Sequence, residues 1–236
     1  MAQQRDGEIV VVTGARGALG QTVVEMFLQW GARVVGVDIA APGPGSLVED
    51  EQQMRLRWLK VDVTDAVAVE GAITTVENEV GPIQTVIHCA GGFRWSPIDK
   101  ISAEDIDFLV DVNLKSSLYL ARSVMKRFKP REAGRLIFVS SRSTEAPGAG
   151  EGAYVATKAG LNALTRALAA EVKDLPITVN AVQPSIIDTP ANRAEMPDAE
   201  HEKWVPRTDL ARILGFLTSE EGQSISGARL VVSGRT

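Results

Sequence analysis

Residues 9–20 read Ile-Val-Val-Val-Thr-Gly-Ala-Arg-Gly-Ala-Leu-Gly, an apolar run that passes directly into a glycine-rich segment. Short runs of branched apolar residues are typical of strands buried on both faces of a parallel sheet. A helix-like segment near 18–30 follows at once. Glycines at such a strand-to-helix turn allow the backbone to approach a phosphate, whose charge the helix N-terminus favours. The segment therefore predicts a pyrophosphate-binding turn, with an ordinary strand-to-helix turn as the weaker alternative.

The same alternation continues along the rest of the chain. Further strand-like runs lie at 33–37, 58–61, 85–87, 136–139, 177–179 and 230–232, and amphipathic segments lie near 65–80, 102–129, 152–173 and 208–219. Asp65 and Ser102 are placed to cap two of these helices. Residues 42–45, Pro-Gly-Pro-Gly, read as a loop. The pattern predicts an α/β fold with a single Rossmann-type, doubly wound domain covering residues 1–236.

Composition excludes several classes of protein. Hydrophobic residues make up 44% and charged residues 23% of the 236 positions, as in ordinary globular chains. The net charge of −5 argues against nucleic acid or an anionic membrane as the main partner. One cysteine and two histidines leave no internal disulfide and no expected metal site. The polar start lacks a signal-peptide core and no apolar run is long enough to span a bilayer, so we expect a cytoplasmic protein.

Several residues are candidate contacts of a bound dinucleotide. In the glycine turn they are Gly14, Arg16, Gly17, Leu19 and Gly20; beyond it they are Asp38, Asp62, Val63, Ala90 and Gly91. Asp38 ends the second strand, where a carboxylate can accept hydrogen bonds from both ribose hydroxyls and repel a 2′-phosphate. Arg16 favours the opposite choice, because its cation could pair with that phosphate. We therefore expect NAD(H), with NADP(H) possible.

Tyr154 and Lys158 are the candidate catalytic pair. They stand four residues apart in a strongly helical segment, so their side chains share one face. A phenol has a pKa of about 10, and a nearby ammonium would lower that pKa towards neutrality. Such a pair could exchange a proton with a carbonyl or alcohol oxygen. Ser141, which closes the fifth strand, is expected to hold that oxygen, whereas Ser140 is expected to satisfy the strand end.

These motifs together resemble the short-chain dehydrogenase/reductase family over essentially the whole chain. The matching elements are the glycine turn at 13–20, the serine at 141 and the Tyr-x-x-x-Lys spacing at 154–158. The resemblance implies a seven-stranded parallel sheet flanked by helices, a homodimer or homotetramer, and hydride transfer at nicotinamide C4. It also implies that Asn113 holds a proton-relay water, that Tyr154 and Lys158 touch the coenzyme, and that Ile187 and Thr189 bind the nicotinamide carboxamide.

The chain departs from the family pattern at two places. His88-Cys89 stands where the family often has two asparagines, and His88 is expected to be a hydrogen-bonded strand-end residue. Ser185 replaces the usual glycine after Pro184. Four local stretches, including residues 188–197 and 233–236, are similar to quinoid dihydropteridine reductases. Those enzymes lack the active-site serine, so Ser141 favours a carbonyl substrate over a pteridine.

The sequence thus predicts an NAD(P)-dependent oxidoreductase acting on a small carbonyl compound or secondary alcohol. Segment 190–204 is expected to form a substrate lid, and Phe93, Arg94 and Trp95 to line the mouth, with Arg94 offering a cation. Two alternatives stay open. One is an NADH-dependent reductase of quinonoid dihydropteridine, and the other is a dinucleotide-binding regulator without turnover.

Overall fold

The computed structural model describes residues 4–40 and 54–236, which build one seven-stranded sheet flanked by helices. Its strands are β1 (Ile9–Thr13), β2 (Arg33–Asp38), β3 (Leu56–Lys60), β4 (Thr85–His88), β5 (Gly134–Val139), β6 (Ile177–Pro184) and β7 (Arg229–Val232). Each pairing between neighbouring strands is parallel. The predicted fold class is confirmed, and the strand-like runs all became strands. The predicted loop at 42–45 lies outside the described residues.

Helices connect the strands and cover both faces of the sheet. They are α1 (Ala18–Gln29), α2 (Ala66–Glu79), α3 (Ala103–Val110), α4 (Ser116–Arg131), α5 (Gly152–Glu171), α6 (Pro190–Glu195) and α7 (Arg207–Thr218). Asp65 accepts the backbone N–H groups of Val67 and Ala68, and Ser102 accepts that of Asp105, so both predicted caps are confirmed. Such caps satisfy N–H groups that the first helical turn leaves without partners.

Two separate apolar cores follow from the alternation of side chains along each strand. In β1, Val11 belongs to the core beneath α2, α4 and α5, whereas Val10 and Val12 belong to the core beneath α1 and α7. All three valines are fully buried. This two-sided burial explains why the central strands are unbroken apolar runs rather than alternating ones.

The strand order places a crevice at the carboxyl edge of the sheet. The order is β3-β2-β1-β4-β5-β6-β7, so successive crossovers reverse direction between β1 and β4. In doubly wound sheets, ligands bind at this reversal point, outside the carboxyl ends of the strands. The glycine turn after β1, Asp38 at the end of β2 and Ser141 after β5 all lie along this edge.

The helical segment predicted near 102–129 is interrupted. Its middle, Asp111–Lys115, is a π-helical turn between α3 and α4. A π turn inserts one extra residue per turn and rotates the side chains that follow it, and such turns are frequent at functional sites. Asn113 stands in this turn, beside the carboxyl edge of the sheet.

Candidate active site

The glycine turn after β1 is held by backbone contacts that exclude any larger residue at two positions. Gly14 has a φ of +62°, and a Cβ atom there would lie 2.6 Å from the backbone nitrogen of Ala90. A Cβ on Gly20 would lie 2.1 Å from the carbonyl oxygen of Gly14. No side chain caps the N-terminus of α1, and its first turn carries no acidic residue. The first turn of α1 therefore presents uncapped N–H groups that suit a pyrophosphate.

A cavity of about 620 Å³ opens beside this turn. The predicted coenzyme residues that line it are Gly14, Arg16, Gly17, Asp38, Asp62, Val63, Ala90 and Gly91. Asp38 accepts the backbone N–H of Arg16 at 2.9 Å and that of Ala40 at 3.1 Å. The Arg16 guanidinium lies 5.9 Å from the centre of a Trp58 ring instead of on Asp38. The shape and donors of this cavity fit the adenosine and pyrophosphate parts of a dinucleotide.

The other predicted coenzyme residues have more local contacts. Leu19 is buried in the core beneath α1. Asp62 accepts the backbone N–H and the hydroxyl of Thr64, at 2.8 and 2.7 Å, which closes an Asx turn. The carbonyl of Ile187 accepts the side-chain amide of Asn192 at 2.8 Å. The hydroxyl of Thr189 accepts the backbone N–H of Asn192 and caps α6.

A second cavity, of about 670 Å³, is lined by Ser141, Tyr154 and Lys158, and we call it the substrate cavity. Ser141 comes from the end of β5 and Tyr154 from α5, so this cavity brings together side chains from two separate elements. Cys89 and Gly91 line both this cavity and the dinucleotide cavity, so the two cavities meet there. The structure thus brings the three predicted catalytic side chains together at the junction of the two cavities.

The electrostatics of the pair differ from the prediction. Desolvation by burial raises the pKa of Tyr154, opposed by the hydrogen bond from Ser141, and the charge of Glu151 raises the pKa further. Lys158 donates to the carbonyl oxygen of Val139 at 2.9 Å, and its Nζ lies 5.9 Å from the centre of the tyrosine ring. Burial lowers the pKa of Lys158 to about 8. Among the protein's own groups, desolvation therefore outweighs the ammonium that was expected to lower the phenol pKa.

Asn113 links the end of β4 to α5. Its Oδ1 accepts the backbone N–H of Gly92 at 3.0 Å, and its Nδ2 donates to the Gly92 carbonyl at 2.9 Å and to Thr157 Oγ1 at 3.3 Å. Thr157 lies between Tyr154 and Lys158 along α5. The side chain of Asn113 thus fixes the loop after β4 against α5, which carries the candidate catalytic pair, and its role in a water relay stays a prediction.

The two departures from the family pattern have structural partners. His88 is buried between Thr13 Oγ1, at 2.6 Å from Nδ1, and Ser116 Oγ, at 3.1 Å from Nε2. Burial lowers the pKa of His88 to about 3, so the ring is neutral and serves as a strand-end hydrogen-bonding group. Ser185 donates to the carbonyl of Ser233 at 2.8 Å and accepts the hydroxyl of Thr236 at the same distance. It thereby joins the end of β6 to the C-terminal residues beside the substrate cavity.

A network behind Ser141 was missed by the sequence analysis. The Thr144 hydroxyl donates to the Ser141 carbonyl at 2.8 Å. It also accepts the side-chain amides of Asn162, at 3.0 Å, and Gln183, at 2.6 Å. These residues come from a 3₁₀ turn, α5 and β6, and no sequence motif joins them. The network holds the backbone of Ser141 in place from behind.

The substrate end of the second cavity is bounded by residues after β4 and by α6. The ring of Phe93 meets that of Tyr154 edge to face, with centres 4.9 Å apart. Trp95 donates from Nε1 to the Ala149 carbonyl at 2.8 Å. Asn192, Glu195 and Met196 of the predicted lid line the cavity. Phe93 and Trp95 thus give this cavity an aromatic part of its lining.

The prediction that Arg94 offers its cation to this mouth is wrong. Its Nε donates to Asp105 at 3.1 Å, and its guanidinium lies 4.2 Å from the centre of the Phe108 ring. A second bond runs from Arg94 to the Phe93 carbonyl at 2.9 Å. The ion pair and the ring together hold the cation outside the cavity. Arg142, which the sequence analysis did not consider, is the arginine that lines it.

Within 4–40 and 54–236, no three His, Cys, Asp or Glu side chains cluster as metal ligands would. In the same ranges, no helix combines the length and apolar character that a membrane span requires.

Comparisons with known proteins agree with this geometry. The family model of short chain dehydrogenases matches residues 8–200. The chain is 30% identical to the 3-oxoacyl-[acyl-carrier-protein] reductase FabG of Salmonella typhimurium, over 97% of each chain. It is 28% identical to the D-threitol dehydrogenase of Mycolicibacterium smegmatis, over 97% of this chain and 92% of that one.

Solved structures show the same fold. One, described as ElxO with NADP bound, superposes with a TM-score of 0.90 at 21% identity, over 97% of this chain and 98% of its own. A short-chain type dehydrogenase/reductase from Mycobacterium ulcerans superposes with a TM-score of 0.89 at 23% identity, covering 98% of this chain and 90% of its own. The local similarity to quinoid dihydropteridine reductases stays a prediction. With the family match and the full-length relatives, the chain belongs to the short-chain dehydrogenase/reductase family and is an NAD(P)-dependent oxidoreductase acting on carbonyl or alcohol groups.

Proposed function

We propose that this protein reversibly reduces the carbonyl group of a small molecule to a secondary alcohol with NADH as its preferred coenzyme. The observation that carries the proposal is that Ser141, Tyr154 and Lys158 line one cavity, which shares Cys89 and Gly91 with the dinucleotide cavity. The nicotinamide, when bound, supplies or accepts the hydride at its C4 atom. The protein's own groups then need to orient the reacting oxygen and to exchange one proton with it.

Tyr154 is the proton donor and acceptor in this proposal. Its raised pKa keeps the phenol protonated at neutral pH, which is the form that donates to a carbonyl oxygen as negative charge develops there. Ser141 donates a second hydrogen bond to the same oxygen and stabilises that charge. The backbone N–H of Ser143 donates to the Ser141 Oγ at 3.1 Å, which holds the serine oxygen in place and leaves its O–H proton available to donate.

Lys158 and Asn113 prepare the site. Lys158 is buried, and its ammonium balances negative charge on the tyrosine or the reacting oxygen while it helps to hold the coenzyme. Asn113 keeps the backbone at Gly92 and the hydroxyl of Thr157 in fixed positions, which is consistent with support of a proton relay. The proposed coenzyme contacts are those of the glycine turn, with Asp38, Asp62, Val63, Ala90, Gly91, Ile187 and Thr189.

The preference for NADH rests on Asp38. Two backbone N–H groups fix its carboxylate at the end of β2, on the lining of the dinucleotide cavity. A fixed negative charge at that position accepts ribose hydroxyls and repels a 2′-phosphate. NADP in a structural neighbour makes NADPH the rival coenzyme. We expect kcat/KM for NADH to exceed that for NADPH by at least about tenfold, and Asp38→Ala to remove most of the difference.

The basic test follows coenzyme oxidation with a panel of ketones and aldehydes. Turnover by the wild type together with its loss in Tyr154→Phe supports the proposal. Coenzyme binding without any turnover would favour a regulator that uses the fold for binding alone. Reduction of a quinonoid dihydropteridine that persists in Ser141→Ala would favour the pteridine alternative, because that reaction needs no serine to hold a ketone oxygen.

The remaining parts of the proposal concern organisation. We propose one domain over residues 1–236 with a substrate lid around 190–204, acting in the cytoplasm on a small molecule, with no nucleic-acid or membrane partner.

We also propose a homodimer or homotetramer, because apolar side chains are exposed on two separate faces. Ile106 and Leu118 lie on one face, and Phe216 and Val231 lie on the other. Sedimentation of the wild type and of Val231→Asp tests this assembly.

A further inference from the structure

Arg142 is a cation of the substrate cavity, next to Ser141 in the chain, that has no partner among the residues the structure describes. It follows Ser141 directly, lines the cavity of about 670 Å³ and is half-buried. Within residues 4–40 and 54–236, its guanidinium makes no hydrogen bond, ion pair or ring contact. By contrast, Arg94 binds Asp105, and Arg193 binds Asp188 through two bonds of 2.6 and 2.8 Å.

The chemistry of the guanidinium indicates what would satisfy it. Arginine stays charged at all ordinary pH values and presents planar pairs of N–H donors that match the two oxygens of a carboxylate. Hydrogen bonds between two charged groups are shorter and stronger than neutral ones. A half-buried guanidinium without an internal partner therefore favours an anion that arrives with the substrate.

The carboxylates that line the same cavity do not fill this role. Glu151 accepts the backbone N–H of Gly148 at 2.8 Å, which ties it to the turn before α5. Glu195 lies on α6 and is exposed, so water screens its charge. The other cation of the cavity, Lys158, donates to the Val139 carbonyl. The two negative charges of a phosphate would be repelled by both glutamates and attracted by only one unpaired cation. The single charge of a carboxylate is balanced by Arg142 alone.

We infer that the substrate carries a carboxylate bound by Arg142, with its carbonyl or alcohol group at Ser141 and Tyr154 and its apolar part against the ring of Phe93. This inference rests on the proposed function and names the substrate class of the same site. Arg142 acts as a specificity-determining residue in it. The reaction balance is that of the proposed function, because the carboxylate is bound and does not react.

The test compares carboxylic acids with their neutral amides. The probes are phenylglyoxylate, benzoylacetate and 4-acetylbenzoate, which place the carboxylate at three distances from the ketone, each paired with its primary amide. We expect the best acid to exceed its amide in kcat/KM by about 30-fold or more. Arg142→Gln should lower kcat/KM for the acid by about the same factor, mainly through KM, and change the amide less than about threefold. Arg94→Gln, whose cation lies outside the cavity, is the matched control and should leave both within about twofold.

The outcomes separate the inference from the proposed function. Ketone turnover in which wild-type enzyme prefers no acid to its amide, or in which Arg142→Gln weakens acid and amide equally, overturns the inference alone. Absence of all ketone turnover counts against the proposed function. In that case the inference is tested by calorimetry. The experiment compares the affinities of 4-acetylbenzoate and of its amide for the Tyr154→Phe variant in the presence of coenzyme. Tighter binding of the acid that Arg142→Gln abolishes in this background supports the inference, and equal binding overturns it.

Discussion

The two halves of the carboxyl edge of the sheet are built in different ways. On the dinucleotide side, Gly14 and Gly20 allow backbone to contact backbone at distances that no Cβ atom tolerates. On the substrate side, the backbone of Ser141 is held by the side chains of Thr144, Asn162 and Gln183. Backbone contacts of the first kind tolerate few substitutions, because any added atom clashes. Side-chain networks of the second kind tolerate substitution better, so the two halves should respond differently to mutation.

The largest effect on kcat is expected from a change to Tyr154, where the two halves of the edge meet. Tyr154→Phe removes the proton that the reacting oxygen needs and should lower kcat by about 10³-fold, whereas coenzyme affinity should change by less than about threefold. The control is Tyr119→Phe, since Tyr119 is the other tyrosine of the chain and stands on α4. Coenzyme oxidation and calorimetric coenzyme binding measure the two quantities. Equal loss in both variants would contradict a special role for Tyr154.

The dinucleotide half should respond next most strongly. In Gly20→Ala the new methyl group meets the Gly14 carbonyl, so coenzyme affinity should fall about 100-fold and the free energy of unfolding by about 3 kcal/mol. Gly71→Ala is the matched control, because it lies in α2 with no atom within 4 Å of the added Cβ. The control should be neutral or stabilise by up to about 1 kcal/mol. Coenzyme titration measures the affinity and urea denaturation measures the free energy of unfolding of both variants. Wild-type values for Gly20→Ala would contradict the proposed difference between the two halves.

The substrate half should respond more mildly. Thr144→Val keeps the shape of the side chain but removes the hydroxyl behind Ser141, so kcat should fall about tenfold while coenzyme affinity stays unchanged. Restoration of kcat by Thr144→Ser, which returns the hydroxyl, distinguishes positioning from a general loss of packing. Thr208→Val, at an exposed site on α7, is the control. An equal loss of coenzyme affinity in Thr144→Val would show that the two halves are not independent.

The smallest expected effect concerns Lys158 and pH. Because burial lowers its pKa to about 8, the unfolded chain binds a proton more readily between about pH 8 and 10.5. The charged ammonium therefore costs stability below pH 8, and this cost disappears as the pH rises through 8 towards 10.5. Lys158→Met should be more stable than the wild type by about 1 kcal/mol at pH 7, with the gain shrinking towards pH 10. Thermal unfolding across this range measures it, and exposed Lys129→Met should show no such trend.

The predicted parts of the fold share one property, which is that each is encoded within a few consecutive residues. Residues 9–20 carry a buried strand, a sharp turn and a helix start, and Asp65 and Ser102 carry their caps. The spacing of Tyr154 and Lys158 puts them on one helical face in any helix. The interruption at Asp111–Lys115 escaped prediction, since no local residue pattern marks a π turn.

The parts of the site that escaped prediction depend on residues far apart in the chain. The sequence does not show which of Arg94 and Arg142 lines the cavity. In the structure Arg94 contacts Asp105 and the Phe108 ring, whereas Arg142 lines the cavity. The sequence also predicted a lowered pKa for Tyr154, whereas burial raises that pKa. Helical spacing shows that the Lys158 ammonium is near, but it does not show how deeply the phenol is buried.

The amino-acid sequence by itself determined the α/β class and the glycine turn, and it named Ser141, Tyr154 and Lys158 as the candidate catalytic residues. Backbone conformation and strand burial depend on patterns within single elements, and those patterns are visible in the chain. Only the tertiary structure decided which arginine lines the substrate cavity, which side chains hold Ser141, and whether burial or charge dominates the pKa of Tyr154. Those outcomes depend on distances between elements, because desolvation and ion pairing act through space and fall off over a few ångströms.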